Sequence, residues 1–160
     1  MNNFKTSPQV RTISIEEWCA LNKEETCLAV RIRLDGNSMY PLIRRMQDYI
    51  TIHPVDRRII KGDIVLFKRA DGRYVVHRVR KTKGHAVLTM GDNCSCPDIE
   101  ITADSVLGYI TRIERGEHII NADTPLMRSL GLIWLILLPL RKLYSKIKKT
   151  IKKSGDVTNG

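Results

Sequence analysis

Short β-prone runs separated by tight turns are the feature that most constrains the fold of this 160-residue chain. Residues Ile64 to Phe67 form one strongly β-prone run, and Tyr74 to Val79 form the next. Between them, Asp71-Gly72 is a hairpin signal, because a type I′ turn tolerates this pair well. The pattern predicts two antiparallel strands joined by a tight turn.

Other runs of the same kind lie on both sides of this hairpin. Cys27 to Leu34 alternates apolar and basic side chains, which is the period of a half-buried strand. Further strands are predicted over residues 49–55, 86–90 and 106–113. Many short strands with tight turns are typical of a mainly β fold. We therefore expect a compact, coiled antiparallel β domain of barrel-like form.

The two ends of the chain differ from this central region. Ser14 as an N-cap and Glu17 three residues later predict a short helix that reaches Asn22. Residues 1–12 contain neither the apolar core of a signal peptide nor a spanning helix. We expect an N-terminal segment over residues 1–27, a β domain over 28–121, and an apolar and basic tail over 122–160.

The charge of the chain is concentrated in its tail. The formal net charge is +10, but seven Lys or Arg and no acid lie between Arg141 and Lys153, which leaves +3 for the rest. The body of the protein therefore gives little support to a nucleic-acid partner, and none is predicted. Four cysteines, at positions 19, 27, 94 and 96, are too few to indicate a disulfide scaffold.

The tail has two features typical of membrane association. Residues 129–140 are uncharged and mainly apolar, but a spanning helix needs about 20 such residues. From Leu140 to Ile151, apolar residues recur on one helical face and cations surround the other, as in helices that lie on anionic bilayers. The alternative is a core helix that packs on the β domain beside a solvated lysine face. Membrane association of the tail is the prediction, and the side of the membrane on which the protein lies is left open.

One stretch, Gly36 to Pro41, suggests chemistry. Its composition predicts a rigid turn that holds the Ser38 hydroxyl at a surface while Met39 enters the interior. His77 lies in a predicted strand, and Asp92 and Asp98 lie in a polar loop. A serine becomes a nucleophile when an imidazole takes its proton and a carboxylate orients that imidazole. Taken singly, His77 could be a strand histidine facing water, and Asp92 could cap the turn at Gly91.

Five motifs in order carry a resemblance to a known family. They are Gly36-Asn37-Ser38-Met39-Tyr40-Pro41, Gly62-Asp63-Ile64-Val65, Val76-His77-Arg78-Val79, Gly91-Asp92-Asn93 with Asp98, and Leu107-Gly108-Tyr109. Together they resemble the type I signal peptidases, within a wider superfamily that includes self-cleaving repressors. Because His77 stands where the bacterial enzymes and the repressors use lysine, the chain resembles the archaeal and endoplasmic-reticulum branch.

The resemblance implies a role for each site residue. It makes Ser38 the nucleophile, His77 the general base and Asp98 the acid that orients His77, with Asp92 as a supporting or alternative partner. The Ser38 amide would be one oxyanion donor, Asn37 a second, and Met39 would belong to the same substrate-binding set. No cofactor or metal is implied. Cys94, Cys96 and His85 could bind a metal, but their loose spacing favours a polar loop with incidental cysteines.

The expected function is that of a serine endopeptidase that cleaves signal or leader peptides from exported or membrane-associated precursors. The expected partners are the precursor and, through the tail, anionic lipid. The alternative is a non-catalytic, membrane-associated interaction module that retains the peptidase fold. Family members usually enter the membrane through a helix before the serine motif. Here the apolar segment follows the motifs instead.

Overall fold

The computed structural model describes residues 14–23 and 28–137. Two helices and eight strands make up this part of the chain, together with a short 3₁₀ turn at Ala103–Ser105. They are α1 (Ile15–Lys23), β1 (Val30–Arg33), β2 (Tyr49–Pro54), β3 (Ile64–Lys68), β4 (Tyr74–Lys83), β5 (Ala86–Met90), β6 (Ile101–Thr102), β7 (Val106–Arg115), β8 (His118–Asn121), and α2, described over residues 125–137.

The strands form one antiparallel sheet that curls into a half-barrel. Its order is β1-β2-β7-β3-β4-β5-β6, and β8 pairs with β7 as well. The predicted mainly β, coiled antiparallel fold is therefore confirmed, with a short helix before the sheet and another after it.

The predicted hairpin is present, but its turn differs from the expected type. β3 and β4 pair in register from Ile64 opposite Arg78 to Lys68 opposite Tyr74. Gly72 has φ +85°, whereas Asp71 has no positive φ, so the turn is not type I′. The Gly72 amide bonds to the Arg69 carbonyl at 2.9 Å, which gives a three-residue loop with a left-handed glycine at its end.

Helix α1 begins as its sequence predicts. The Glu17 amide donates to Ser14 Oγ at 3.0 Å, and the Ser14 amide donates to Glu17 Oε2 at 2.8 Å. This reciprocal pair is a capping box. The Trp18 side chain is buried, and its indole donates to the Leu28 carbonyl at 2.6 Å. The helix is therefore fixed against the sheet by one large side chain.

The strand β3 is buried on both faces, which explains its uninterrupted apolar run. Ile64 and Leu66 belong to the larger core, which also contains Trp18 and Met39. Val65 and Phe67 face a second core on the opposite side of the sheet. β3 therefore contributes to the core that contains Met39, and it pairs with β4, the strand that carries His77.

Helix α2 packs on the sheet domain by one face only. Leu135 is buried beside Met90, and Arg128 Nε donates to Asp63 Oδ1 at 2.7 Å. The outer face exposes large apolar side chains: Leu126, Leu130, Ile133, Ile136 and Leu137. No helix within the described residues combines the length and apolarity needed to cross a bilayer. The basic segment from Arg141 to Lys153 lies outside the described residues.

Candidate active site

The turn that carries Ser38 is tied down on both sides. Met39, the next residue, is only 1% exposed and inserts its side chain into the larger core. The Tyr40 amide bonds to the Asn37 carbonyl at 3.2 Å, and the Ile43 amide bonds to the Met39 carbonyl at 3.0 Å. Ser38 itself is half-buried and Asn37 is exposed. The side chain of Met39 is thus part of the core.

His77 lies on β4 opposite Val65 and is 4% exposed. The alternative of a strand histidine that faces water is therefore wrong, because the His77 side chain is buried. The Phe67 ring and the imidazole pack edge to face at a centroid distance of 6.3 Å. On its other side, Nδ1 lies 2.5 Å from Asp98 Oδ2. The imidazole is fixed by apolar packing and by a carboxylate.

Asp98 receives bonds at both carboxylate oxygens. Oδ2 accepts from Thr89 Oγ1 at 2.7 Å as well as from His77, and Oδ1 accepts from the guanidinium of Arg69. Burial alone would raise the pKa of this carboxyl. The bonds from His77, Thr89 and Arg69 outweigh burial and hold the pKa of Asp98 below its ordinary value. Asp98 is therefore an ionised acceptor at neutral pH.

A glycine brings the Ser38 turn and His77 together. A Cβ added to Gly91 would lie 2.7 Å from the Ser38 carbonyl oxygen, 2.7 Å from Cys94 Sγ and 3.0 Å from His77 Nε2. All three atoms therefore border the same small space, which only glycine leaves open. The loop is bonded to the turn as well, since the Asn93 amide donates to the Ser38 carbonyl at 2.7 Å.

Asp92 is held in a different place from Asp98. Its two oxygens accept from Arg78 Nε at 2.8 Å and Nη2 at 2.7 Å, and both side chains are almost completely buried. Arg78 Nη1 also donates to the Gly62 carbonyl at 3.0 Å. The carboxylate on His77 is that of Asp98, whereas Asp92 pairs with the arginine next to His77 in sequence. The buried pair ties β4 to the loop that reaches the serine turn.

Helix α2 covers this buried pair from outside. A Cβ on Gly131 would lie 2.1 Å from the central carbon of the Arg78 guanidinium. Trp134 Nε1 donates to the backbone carbonyl of Asp92 at 3.1 Å. The helix thus packs directly on the charge pair that holds the Gly91–Asn93 loop.

Two side chains that bind Asp98 were not among the residues singled out from sequence. Thr89 lies in the predicted strand over residues 86–90, and the alternation there gives its face but not its partner. Arg69 lies next to the hairpin signal, 29 residues from Asp98. Its local sequence reads as an ordinary charged turn, so no signal pointed to it.

The two cysteines near the site differ in burial: Cys94 is partly buried and Cys96 is exposed. Cys94 lies beside Met90 and Leu135, and burial raises the pKa of its thiol. Within residues 14–23 and 28–137, no three His, Cys, Asp or Glu side chains lie close enough to hold a metal ion.

Comparison with known proteins agrees with this fold. A search of curated proteins gives no match. The family model described as Peptidase S24-like matches residues 3–113, which include the serine turn, His77 and both aspartates. Because this match spans well over half of the chain, the protein belongs to the Peptidase S24-like family.

Proposed function

We propose that the protein is a serine endopeptidase that removes signal or leader peptides from exported or membrane-associated precursors. Ser38 is the nucleophile, His77 is the general base and Asp98 orients the base. One observation carries the proposal: His77 is bonded through Nδ1 to Asp98, while its Nε2 borders the space around Gly91 that the Ser38 carbonyl also borders.

The hydrogen bond to Asp98 favours one tautomer of His77. An ionised carboxylate only accepts hydrogen bonds, so Nδ1 carries the proton and Nε2 keeps a lone pair. That lone pair is the base the reaction needs. Asp98 also stabilises the imidazolium formed when Nε2 takes a proton. It remains ionised throughout.

The reaction then follows an acyl-enzyme course. Nε2 takes the proton from Ser38 Oγ as Oγ attacks the scissile carbonyl, and the imidazolium then gives that proton to the leaving amine. Water, deprotonated by the same nitrogen, attacks the acyl ester and restores Ser38. The Ser38 backbone amide and the Asn37 side chain are the proposed oxyanion donors. Each donor of this kind contributes about 3 to 4 kcal/mol to lowering the barrier.

The identity of the base supports one branch of the superfamily. By the resemblance, His77 occupies the strand position at which the bacterial enzymes and the repressors have a lysine. We therefore assign the protein to the histidine-base branch and propose peptides with small side chains before the cleaved bond as substrates.

The outer face of α2 supports a place on a membrane. Its exposed apolar side chains, Leu126 and Ile133 among them, precede the seven cations between Arg141 and Lys153 in the sequence. Apolar residues followed by clustered cations favour an anionic bilayer surface. A membrane-bound precursor would then meet the active site at that surface.

Covalent labelling tests the proposal. A fluorophosphonate reacts with a serine only where a base activates its hydroxyl, so it should modify Ser38, identified by mass spectrometry of the digested protein. Ser38→Ala should abolish labelling, and Ser129→Ala, an exposed serine on α2, should leave it unchanged. Absence of labelling in the wild-type protein, with detergent or anionic vesicles included, would favour a non-catalytic module.

A further inference from the structure

We propose that Arg69 is a positioning residue of the active site. It holds the Asp98 carboxylate against His77, and its charge keeps the imidazole in the neutral form that can accept a proton. This inference rests on the proposed function, because it assigns to Arg69 an effect on the proposed base.

The geometry gives Arg69 a specific target. It follows β3 in the hairpin loop and reaches across to the loop after β5, where its guanidinium bonds Oδ1 of Asp98. The other oxygen, Oδ2, is taken by His77 and Thr89. The Asp98 backbone amide also donates to the Thr89 carbonyl at 2.9 Å. Arg69 therefore fixes the one carboxylate oxygen that His77 and Thr89 leave open.

Among the charged groups around Asp98 and His77, Arg69 is the cation that balances the charge of the Asp98 carboxylate. Arg78 is adjacent to His77 on β4, but Asp92 already neutralises it in the buried pair. The thiols of Cys94 and Cys96 lie on the loop beside Asp98 and bring no positive charge. Among the described residues that bond Asp98, Arg69 alone carries a permanent charge.

This charge favours the neutral imidazole. A carboxylate beside an imidazole stabilises the protonated ring, and a cation on the same carboxylate offsets that effect. Burial raises the pKa of Asp98, and Arg69 adds to the larger lowering effects of His77 and Thr89 that outweigh burial. Loss of the Arg69 charge should therefore favour the protonated imidazole.

The test compares three variants over a range of pH. Arg69→Gln removes the charge, Arg69→Lys keeps it, and Arg73→Gln is the matched control. Arg73 lies in the same hairpin but is exposed and pairs with Asp71. In Arg69→Gln the acid limb of kcat/KM should move up by about 0.5 to 1 pH unit, so that kcat/KM at pH 6 falls roughly 3- to 10-fold more than at pH 8. Arg69→Lys should keep the acid limb close to its wild-type position, and Arg73→Gln should cause no shift.

A second readout does not require activity. In the Ser38→Ala background, the Hε1 resonance of His77 is followed by NMR as the pH is changed. Its midpoint should rise in Arg69→Gln and stay in place in Arg73→Gln. An unchanged midpoint in Arg69→Gln, or a uniform loss of activity at all pH values, would overturn the inference. A shifted resonance in a protein that cleaves no peptide would support the role of Arg69 while contradicting the proposed peptidase function.

Discussion

Two aspartates six positions apart in one loop have unlike surroundings. Asp98 accepts hydrogen bonds from His77, Thr89 and Arg69. The Arg69 side chain that pairs with it is about one-third exposed to solvent. Asp92 is paired with Arg78, and the two side chains are only 2% and 1% exposed. The same substitution should therefore affect activity at one position and stability at the other.

Asp98→Asn should lower kcat/KM by about 10³- to 10⁴-fold, because an amide can donate to His77 and favour the wrong tautomer. Its cost in the free energy of unfolding should be smaller than that of Asp92→Asn, because Arg69 is about one-third exposed and its charge can be hydrated, whereas Arg78 is buried. Peptide cleavage and urea unfolding, measured on the same preparation, check both parts.

Asp92→Asn should instead destabilise the fold by about 3 to 5 kcal/mol, because it leaves Arg78 buried without a counter-charge. Urea unfolding measures this loss. Asp71→Asn removes an exposed partner of Arg73 and is the control, with a much smaller expected change because water screens this pair. Equal and mild effects of Asp92→Asn and Asp98→Asn on activity would indicate a Ser38–His77 dyad without an orienting acid.

At the scale of elements, α2 is part of the support for the candidate active site. It contacts Arg78 through Gly131, Asp92 through Trp134 and Asp63 through Arg128. Removal of residues 126–160 would uncover the Arg78–Asp92 pair. We therefore expect such a truncation to impair the reaction of Ser38, even though the family match ends at residue 113.

Gly131→Ala should displace α2, because its Cβ would lie within 2.4 Å of three guanidinium atoms of Arg78. The expected results are slower labelling of Ser38 and faster amide exchange at Trp134. Ser129→Ala, an exposed position on the same helix, provides the comparison. Wild-type labelling and exchange in Gly131→Ala would show that the helix can shift without consequence.

The elements that sequence predicts well are those whose own residues determine them. The capping box at Ser14 and Glu17 and the β-prone run of β3 are local signals, and both are confirmed. The predicted hairpin is confirmed, but the predicted type I′ turn is wrong. The pair Asp-Gly also suits a three-residue loop that ends in a left-handed glycine. The short strands β6 and β8 carry too few residues for a period to be read.

Only those residues of the candidate site that belong to a recognisable motif were predictable from sequence. The motifs pointed to Ser38, His77 and Asp98 together. The bonds of Arg69 and Thr89 to Asp98 depend on how loops meet in space, and single-chain patterns do not encode this. The half-packed, half-exposed state of α2 likewise depends on the sheet beneath it.

At the scale of the whole molecule, buried carboxylates make the fold sensitive to acid. Burial alone would raise the pKa of Asp63, but Arg57, the Ile60 amide and Arg128 lower it below its ordinary value of 3.8. The pKa of Asp48 is likewise lowered: bonds from Arg115 and the Arg44 amide outweigh the effect of burial. As pH falls, the unfolded chain therefore takes up these protons before the folded protein does.

Stability should accordingly be constant above about pH 5 and decline as pH falls further, through the lowered values of the folded state. Urea midpoints between pH 3 and pH 7 measure the decline. Asp63→Asn should reduce stability at neutral pH and flatten the slope at low pH. A slope as steep as that of the wild type would mean that Asp63 does not carry this dependence.

The whole molecule should also bind anionic vesicles through α2 and the basic residues that follow it in sequence. Leu126→Gln with Ile133→Gln should weaken co-sedimentation at both low and high salt, because these side chains supply the apolar part. High salt should remove the electrostatic part, since the Debye length falls from about 10 Å at 0.1 M to about 3 Å at 1 M. Ile119→Gln, at an exposed position of β8, is the control. The unsubstituted 160-residue protein remaining in the supernatant at low salt would contradict membrane binding.

The pH dependence of Ser38 labelling tests the central claim most directly, because it reports the activation of the nucleophile without any assumed substrate. The rate of fluorophosphonate reaction should rise with pH as the imidazole loses its proton, a group that titrates near 6.5 in model peptides. His77→Ala should lower the rate by at least about 10³-fold at pH 7.5 and leave the circular dichroism spectrum unchanged. A His77→Ala protein that labels at the wild-type rate would contradict the assignment of His77 as the base.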